Sequence, residues 1–254
     1  MNILCLVKQV PDSLEVHMGS NLTLQRDFIA QVLNHADESA VELALRLRDS
    51  HGGRVTALTM GPKSAEGMLR ELISCGVDEA ILLTDKAFAG ADTLATARAL
   101  TAAAKTLGPF DLLLFGRRAA DGETGQVGAM TSALMGIPCV ANITSVEFEN
   151  NTLHAHQLIE TGTVHWEMKL PAALTLCEWS YALRLPTMRG LRIAKQADIR
   201  TMKPVDIDIT DLSQIGLKGS PTKVTHVSVR PSGVRSTKWI TAEEAMLVAK
   251  EICT

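Results

Sequence analysis

Aromatic side chains make up only 4% of this 254-residue chain, and none of its five cysteines is spaced to act with another. Few rings and many alanines, leucines and valines favour helices packed on a parallel sheet over an all-β sandwich. Cys5, Cys75, Cys139, Cys177 and Cys253 form no C-x-x-C pair, and an odd, scattered set reads as reduced thiols in a cytoplasmic protein. Cys5 and Cys177 lie inside apolar runs and are expected in the core. The seven histidines lack H-E-x-x-H or any other metal-ligand spacing, so metal catalysis has no support. His154 and His156 alternate as residues on one exposed strand face do, with no cysteine or carboxylate motif nearby. Apolar runs stop far short of the ~18–20 residues that span a bilayer, and the first ten residues reverse the charge order of a secretory leader. A net charge of −3 carries no signature of nucleic-acid or anionic-membrane binding.

Several motifs are absent as well. Without G-x-x-x-x-G-K-[ST] the chain is not a P-loop protein, and without G-x-S-x-G a hydrolase triad has no anchor. Gly122, Gly125 and Gly128 follow G-x-x-G-x-x-G rather than G-x-G-x-x-G, which counts against an ordinary dinucleotide dehydrogenase.

What is present is a succession of strands and helices. With 46% hydrophobic and 21% charged residues, the chain can bury a sizeable core. "NILCLV" (2–7), "RVTALTM" (54–60), "EAILLT" (79–84), "DLLLFG" (111–116) and "AALTLC" (172–177) read as strands buried on both faces. Between them, Ala40, Val41, Ala44 and Leu47 form an apolar helical stripe, with Glu42, Arg46 and Asp49 turned away. Two further helices start at the capping residues Ser64 and Asp92 and stop at Gly76 and Gly108. The pattern predicts an α/β fold with a doubly wound, mostly parallel sheet. From about residue 143, alternating polar and apolar residues around the turn "ENNT" predict a β-hairpin extension. From Trp179 the period fades into basic, proline-punctuated sequence, with a short terminal helix capped by Thr241. Some 75 residues with so little core of their own are expected to wrap something.

The stretch "GRRAADGETGQVGAM" (116–130) follows a buried strand and leads into a helix predicted to begin near Thr124. Helix N-termini offer unpaired N–H groups to phosphate, and the glycines let backbone approach a ligand closely. Arg117 or Arg118 is placed to neutralise phosphate, and Asp121 to accept hydrogen bonds from ribose or adenine. A solvated Asp–Gly turn before a capped helix is the competing reading of the same residues.

"DGETGQVGAM" resembles the nucleotide-binding motif of electron-transfer flavoprotein β subunits, written loosely D-G-D-T-x-Q-V-G. "NILCLVKQVPD" resembles the family's opening strand and lysine-containing turn, and "LNHADESAVELALRL" its helix entry. "ALTMGP", "LPTMRG" and "GLKGSPTKV" resemble later family segments in the same order. The resemblance implies a Rossmann-like adenine-nucleotide fold with an extended C-terminal arm, divided as a nucleotide-binding domain at 1–180 and a recognition loop and arm at 181–254. It implies a heterodimer with an α subunit that carries the redox-active FAD, while this chain holds AMP or the adenylate end of a second FAD. Carried over by position, the nucleotide meets Leu6, Asn34, His35, Ala36, Asp37, Met60, Gly116, Arg117, Asp121, Thr124, Gly125, Gln126 and Val127. Asp121, Thr124 and Gln126 are the foremost side chains, with N–H groups of Gly125 to Val127 on phosphate.

Thr124, Val127 and "GSPT" resemble the Fix-type branch, associated with nitrogen fixation, anaerobic acyl-CoA metabolism and electron bifurcation, rather than the AMP-binding housekeeping branch. His35, Ala129 and the paired arginines depart from the usual pattern. The same resemblance implies that the segment around "RLPTMRGLRIAKQ" docks the α subunit and a flavin-dependent dehydrogenase such as an acyl-CoA dehydrogenase. Leu185 and Met188 would be apolar anchors there, and Arg184 and Arg189 charge complements. No side chain is expected to do acid–base or covalent chemistry. Trp166 and Trp179 read as core or interface packing rather than flavin stacking. The alternative is a stand-alone adenine-nucleotide module resembling universal stress proteins.

Overall fold

The computed structural model describes residues 1–12 and 30–225, together with Thr241, Glu244 and Ala245. Two compact units emerge, Met1–Lys223 and Val224–Thr254. In chain order the first unit contains β1 (Asn2–Leu6), β2 (Gln9–Pro11), β3 (Gln31–Leu33), α1 (His35–His51), β4 (Arg54–Met60) and α2 (Glu66–Cys75). It continues with β5 (Glu79–Leu83), α3 (Thr93–Leu107), β6 (Leu112–Gly116), α4 (Val127–Met135), β7 (Cys139–Glu149) and β8 (Thr152–Ile159). It ends with β9 (Gly162–Met168), β10 (Ala172–Leu176), α5 (Met188–Gln196) and β11 (Arg200–Met202).

Nine strands form one sheet in the order β11-β5-β4-β1-β6-β10-β7-β8-β9. Pairings from β11 through β7 are parallel, and β8 and β9 are antiparallel. One face packs against α1, α2 and α5, the other against α3 and α4. This double covering explains why β1, β4 and β6 read as unbroken apolar runs. Leu4, Leu58, Leu112 and Leu114 are fully buried, each contributing about 1.5–3 kcal/mol. Cys5 and Cys177 are buried as expected.

Of the two expected helix starts, one is capped as expected. The Asp92 side chain accepts from Leu94 and Ala95 N–H at the start of α3. Gly76 ends α2 in the left-handed region at φ 114°, where other residues are strained. Ser64 caps nothing: residues 63–65 form a single 3-10 turn, and α2 starts at Glu66.

The expected hairpin is a three-stranded antiparallel meander. Asn150 and Asn151 make its first turn with φ of 48° and 64°, the pair of left-handed residues that a two-residue hairpin with the right twist requires. Its antiparallel pairing begins at Ile143, as expected, although β7 itself starts at Cys139 and first runs parallel to β10.

Beyond residue 180 the chain remains part of the first unit up to Lys223. α5 lies on α2, with the Arg70 guanidinium donating to the carbonyls of Ala194 and Ala197. β11 extends the sheet along β5, and Ile199, Met202, Ile207 and Ile215 are buried. The division expected at residue 180 therefore falls inside this unit. Three-residue strands and single 3-10 turns are too short to show a period, so their burial left no sequence pattern. In the second unit, Glu244 N–H meets the Thr241 hydroxyl while the Glu244 carboxylate accepts from Thr241 N–H, the reciprocal cap expected of Thr241. The rest of the expected terminal helix lies outside the described residues.

Candidate functional site

Strand order reverses between β1 and β6: the chain passes from β1 outward through β4 to β5, then returns to β6 on the other side. Loops beyond the carboxyl ends of strands at such a reversal form the natural ligand crevice of an open sheet. Here those loops are residues 7–8 after β1 and 117–126 after β6, and the N-terminus of α1 stands beside both.

Asp37 joins the three. Its carboxylate accepts from Lys8 N–H at 2.7 Å and from Gly116 N–H at 3.0 Å, binding both strand ends to the first turn of α1. The side chain is 4% exposed. Burial pushes its pKa up to about 7, against the hydrogen bonds from Lys8, Asn34 and Gly116 that lower it. Asn34 occupies the cap position of α1 yet makes no side-chain cap. Its amide instead donates to Arg118 O at 2.9 Å and accepts from Ala120 N–H at 3.1 Å, holding the loop. Gly116 is required for this approach, because a Cβ there would stand 2.7 Å from the Ala36 Cβ and against the Asp37 carboxylate.

Charges in the loop are matched within the chain. Lys8 Nζ lies 2.6 Å from Asp121 Oδ1. Arg118 Nε donates to Glu178 Oε1 at 3.1 Å, and Arg117 Nε forms an ion pair with Glu178 Oε2 at 2.8 Å, without the alignment of a hydrogen bond. Burial raises the Glu178 pKa, but its own N–H and the two guanidiniums outweigh that and hold the carboxyl below its usual range. The charged side chains expected to greet a nucleotide, Arg117 and Asp121, are thus held by counter-charges. A ligand must displace or share them.

Past Asp121 the loop opens. Gly122 through Gln126 are exposed, and a Cβ on Gly122 would meet nothing within 4 Å. Left-handed Glu123 (φ 49°) and Gly125 (φ 63°) delay the helix, so α4 begins at Val127 rather than near Thr124. Gln126 Oε1 accepts from the Thr93 hydroxyl at 3.2 Å. No side chain caps α4, so its first N–H groups are available to an anion.

Of the residues singled out in the sequence, direct contacts gather Asn34, Ala36, Asp37, Gly116 and Asp121. Leu6 pairs in register with Phe115, beside Gly116. Met60 ends β4, one strand further, and packs into the core beneath α3. His35 is exposed, stacked on Trp179 at 5.1 Å and 3.1 Å from Glu38, so its contacts are not with the loop. Thr124 and Gly125 stand on the open crest, and Val127 is half-buried at the base of α4. Lys8 and Glu178 were not foreseen as site residues. The available signal was position: each follows the carboxyl end of a buried strand.

The docking set divides. Leu185 and Met188 are 85% and 83% exposed, and Arg189 is exposed. Arg184 instead turns inward, donating to the buried Glu42 carboxylate at 3.0 Å and to Asp49 at 2.7 Å. Glu42, placed on the outer face of α1 by its helical spacing, is covered by this arginine and is 4% exposed. Burial raises its pKa, yet the Arg184 and Arg46 hydrogen bonds prevail and hold it below the usual range. Trp179, 76% exposed, and Trp166, 41% exposed, are not core residues.

A doubly covered sheet with its loops converging at the strand reversal places this chain among Rossmann-like α/β proteins. Residues 21–206 match the electron transfer flavoprotein domain, and the chain belongs to that family, with β-subunit and FixA relatives that fit the Fix-type branch. It is 41% identical to the electron transfer flavoprotein subunit beta of Thermoanaerobacterium thermosaccharolyticum, over 90% of this chain and 88% of that one. Identity to Protein FixA of Bradyrhizobium diazoefficiens is 40%, over 91% and 83% of the two chains. The acryloyl-CoA reductase electron transfer subunit gamma of Anaerotignum propionicum is 38% identical, over 88% and 86%. Among the described residues, no helix is long and apolar enough to cross a membrane.

Proposed function

We propose that this chain holds an adenine nucleotide at the reversal between β1 and β6, and that it works as the β subunit of a two-subunit electron carrier. The observation that carries this reading is the open crest from Gly122 to Gln126 ahead of the uncapped N-terminus of α4. The uncapped first turn of α4 and the nearby cations suit a diphosphate, and Asp121 and Thr124 suit a ribose. The donor set fits FAD or AMP, and Thr124 and Val127 favour FAD. A bound flavin supplies the redox chemistry, while the side chains described here bind and orient it. Family membership favours a subunit with an FAD-carrying α partner over the stand-alone module.

The direct test is to identify the nucleotide released on denaturing the chain purified with its α subunit. FAD in excess of one per heterodimer supports the reading, and absence of any nucleotide beyond the α-subunit FAD overturns it. A second test locates the site. Asp121→Ala with Thr124→Val removes two partners, each worth about 0.5–1.5 kcal/mol. Lys8→Ala is added so that the ammonium freed from Asp121 does not itself attract phosphate. Nucleotide affinity should fall at least several-fold, and unchanged content in the folded variant would exclude this loop.

We further propose that the loop around Leu185 and Met188 docks the electron-exchanging dehydrogenase. Two large apolar side chains lie in water beside Pro186 with no core to fill. Leu185→Ala should leave heterodimer assembly intact while costing docking roughly 1–3 kcal/mol, about a 5- to 150-fold loss of coupled electron transfer at low protein concentration. Dissociation of the heterodimer would move Leu185 into the subunit interface instead.

A further inference from the structure

The outer face of the antiparallel meander gathers imidazole and carboxylate groups that the nucleotide reading leaves unused. Across β7, β8 and β9 the register sets Glu147, His154 and Glu167 in one row, and Ser145, His156 and His165 in the next. Residues two apart on a strand share a face. Val146, Phe148, Leu153, Ala155 and Met168 pack on the core, so the alternate residues, the histidines and glutamates among them, project outward. Ligand atoms of His154, His165 and Glu167 all lie within 4.8 Å of one another. His154 Nδ1 is 3.8 Å from Glu167 Oε1, and the His165 ring lies 4.9 Å from that of His156.

We propose that His154, His165 and Glu167 form a binding site for a divalent transition-metal ion of the zinc type. Tetrahedral ligands at about 2.0–2.2 Å from zinc stand roughly 3.3–3.6 Å apart. Closing from within 4.8 Å asks only for side-chain rotations at positions that are exposed or half-buried. Two imidazoles with one carboxylate favour Zn²⁺, Ni²⁺ or Cu²⁺ over Mg²⁺ or Ca²⁺, which prefer all-oxygen shells. His156 or Glu147 stands near enough in register to supply a fourth ligand, and water fills the position otherwise. Such an ion would tie β8 to β9, the terminal strand of the sheet, and fix their register. The sequence showed no metal spacing because the ligands come from two strands: His154-x-His156 on one, His165-x-Glu167 on the next.

Calorimetric titration of the full chain with ZnCl₂ tests the site, in a Cys253→Ser background so that this thiol does not compete. One ion per chain is expected at neutral pH. His154→Ala and His165→Ala should each weaken it by about tenfold or more, with nucleotide content unchanged. His51→Ala, away from the cluster, should have no effect. All the substituted side chains on the meander lie on its outer face, so circular dichroism should confirm an intact fold. Absence of stoichiometric binding, or binding that survives both substitutions, would overturn the proposal.

Discussion

Gly116→Ala is expected to cost the folded state about 2–6 kcal/mol, a large part of the stability of a domain this size. The added Cβ would meet the Asp37 carboxylate and lie 2.7 Å from the Ala36 Cβ and 2.8 Å from the Ala36 carbonyl carbon. Two of these neighbours are backbone-anchored atoms of α1, which cannot rotate aside. Overpacking of this kind costs about 1–3 kcal/mol, and forcing Asp37 away from two N–H groups adds about 1–3 more. Thermal unfolding should shift by roughly 10 °C. Gly122→Ala, six residues later on the open crest, should stay within about 0.5 kcal/mol of the parent. Equal melting of the two variants would show that α1 and β6 do not meet as described.

The second large effect belongs to Asp37 itself. Asp37→Asn keeps the shape but turns an N–H₂ group toward one of the two backbone donors, from Lys8 or Gly116, leaving it unpaired. Near pH 4, where Asp37 is neutral, the cost should be about 1–3 kcal/mol. Its pH dependence has a definite sign. The carboxyl titrates at about 7 in the folded chain against 3.8 as the ordinary value, so the folded state holds the extra proton between them. That stabilisation is complete below about pH 3.8 and is lost as pH rises toward 7. The asparagine does not titrate, so the gap between parent and variant should narrow from pH 4 to pH 7. Glu42 and Asp49, held below their usual range by Arg184, lose stability on acidification equally in both proteins and cancel. Denaturant unfolding across that window measures the gap, and a gap that stays constant or widens with pH would show that Asp37 is ionised in the fold.

The central strands were legible because they are buried on both faces, and unbroken apolar runs need no further context. Asp92 and Gly76 were legible because caps are local. The nucleotide loop was legible as a motif, but its electrostatics were not: Glu178 lies far along the chain from Arg117 and Arg118, and only the fold brings them together. Glu42 was misread for the same reason. Its helical spacing placed it outward, and a residue 142 positions away covers it. The segment from α5 to β11 was the least legible, since its elements are brief and its burial comes entirely from α2, β5 and the turns around them.

That last segment bears on how the chain comes to be folded. β11 pairs along β5, so until residues 200–202 are in place the β5 backbone presents an open edge to solvent. An unpaired parallel edge of this kind recruits other chains. A nascent or truncated chain ending before residue 200 would therefore contain every expected nucleotide contact and still carry a template for aggregation. Residues 200–202 thereby replace the five-residue β5 edge with one only three residues long.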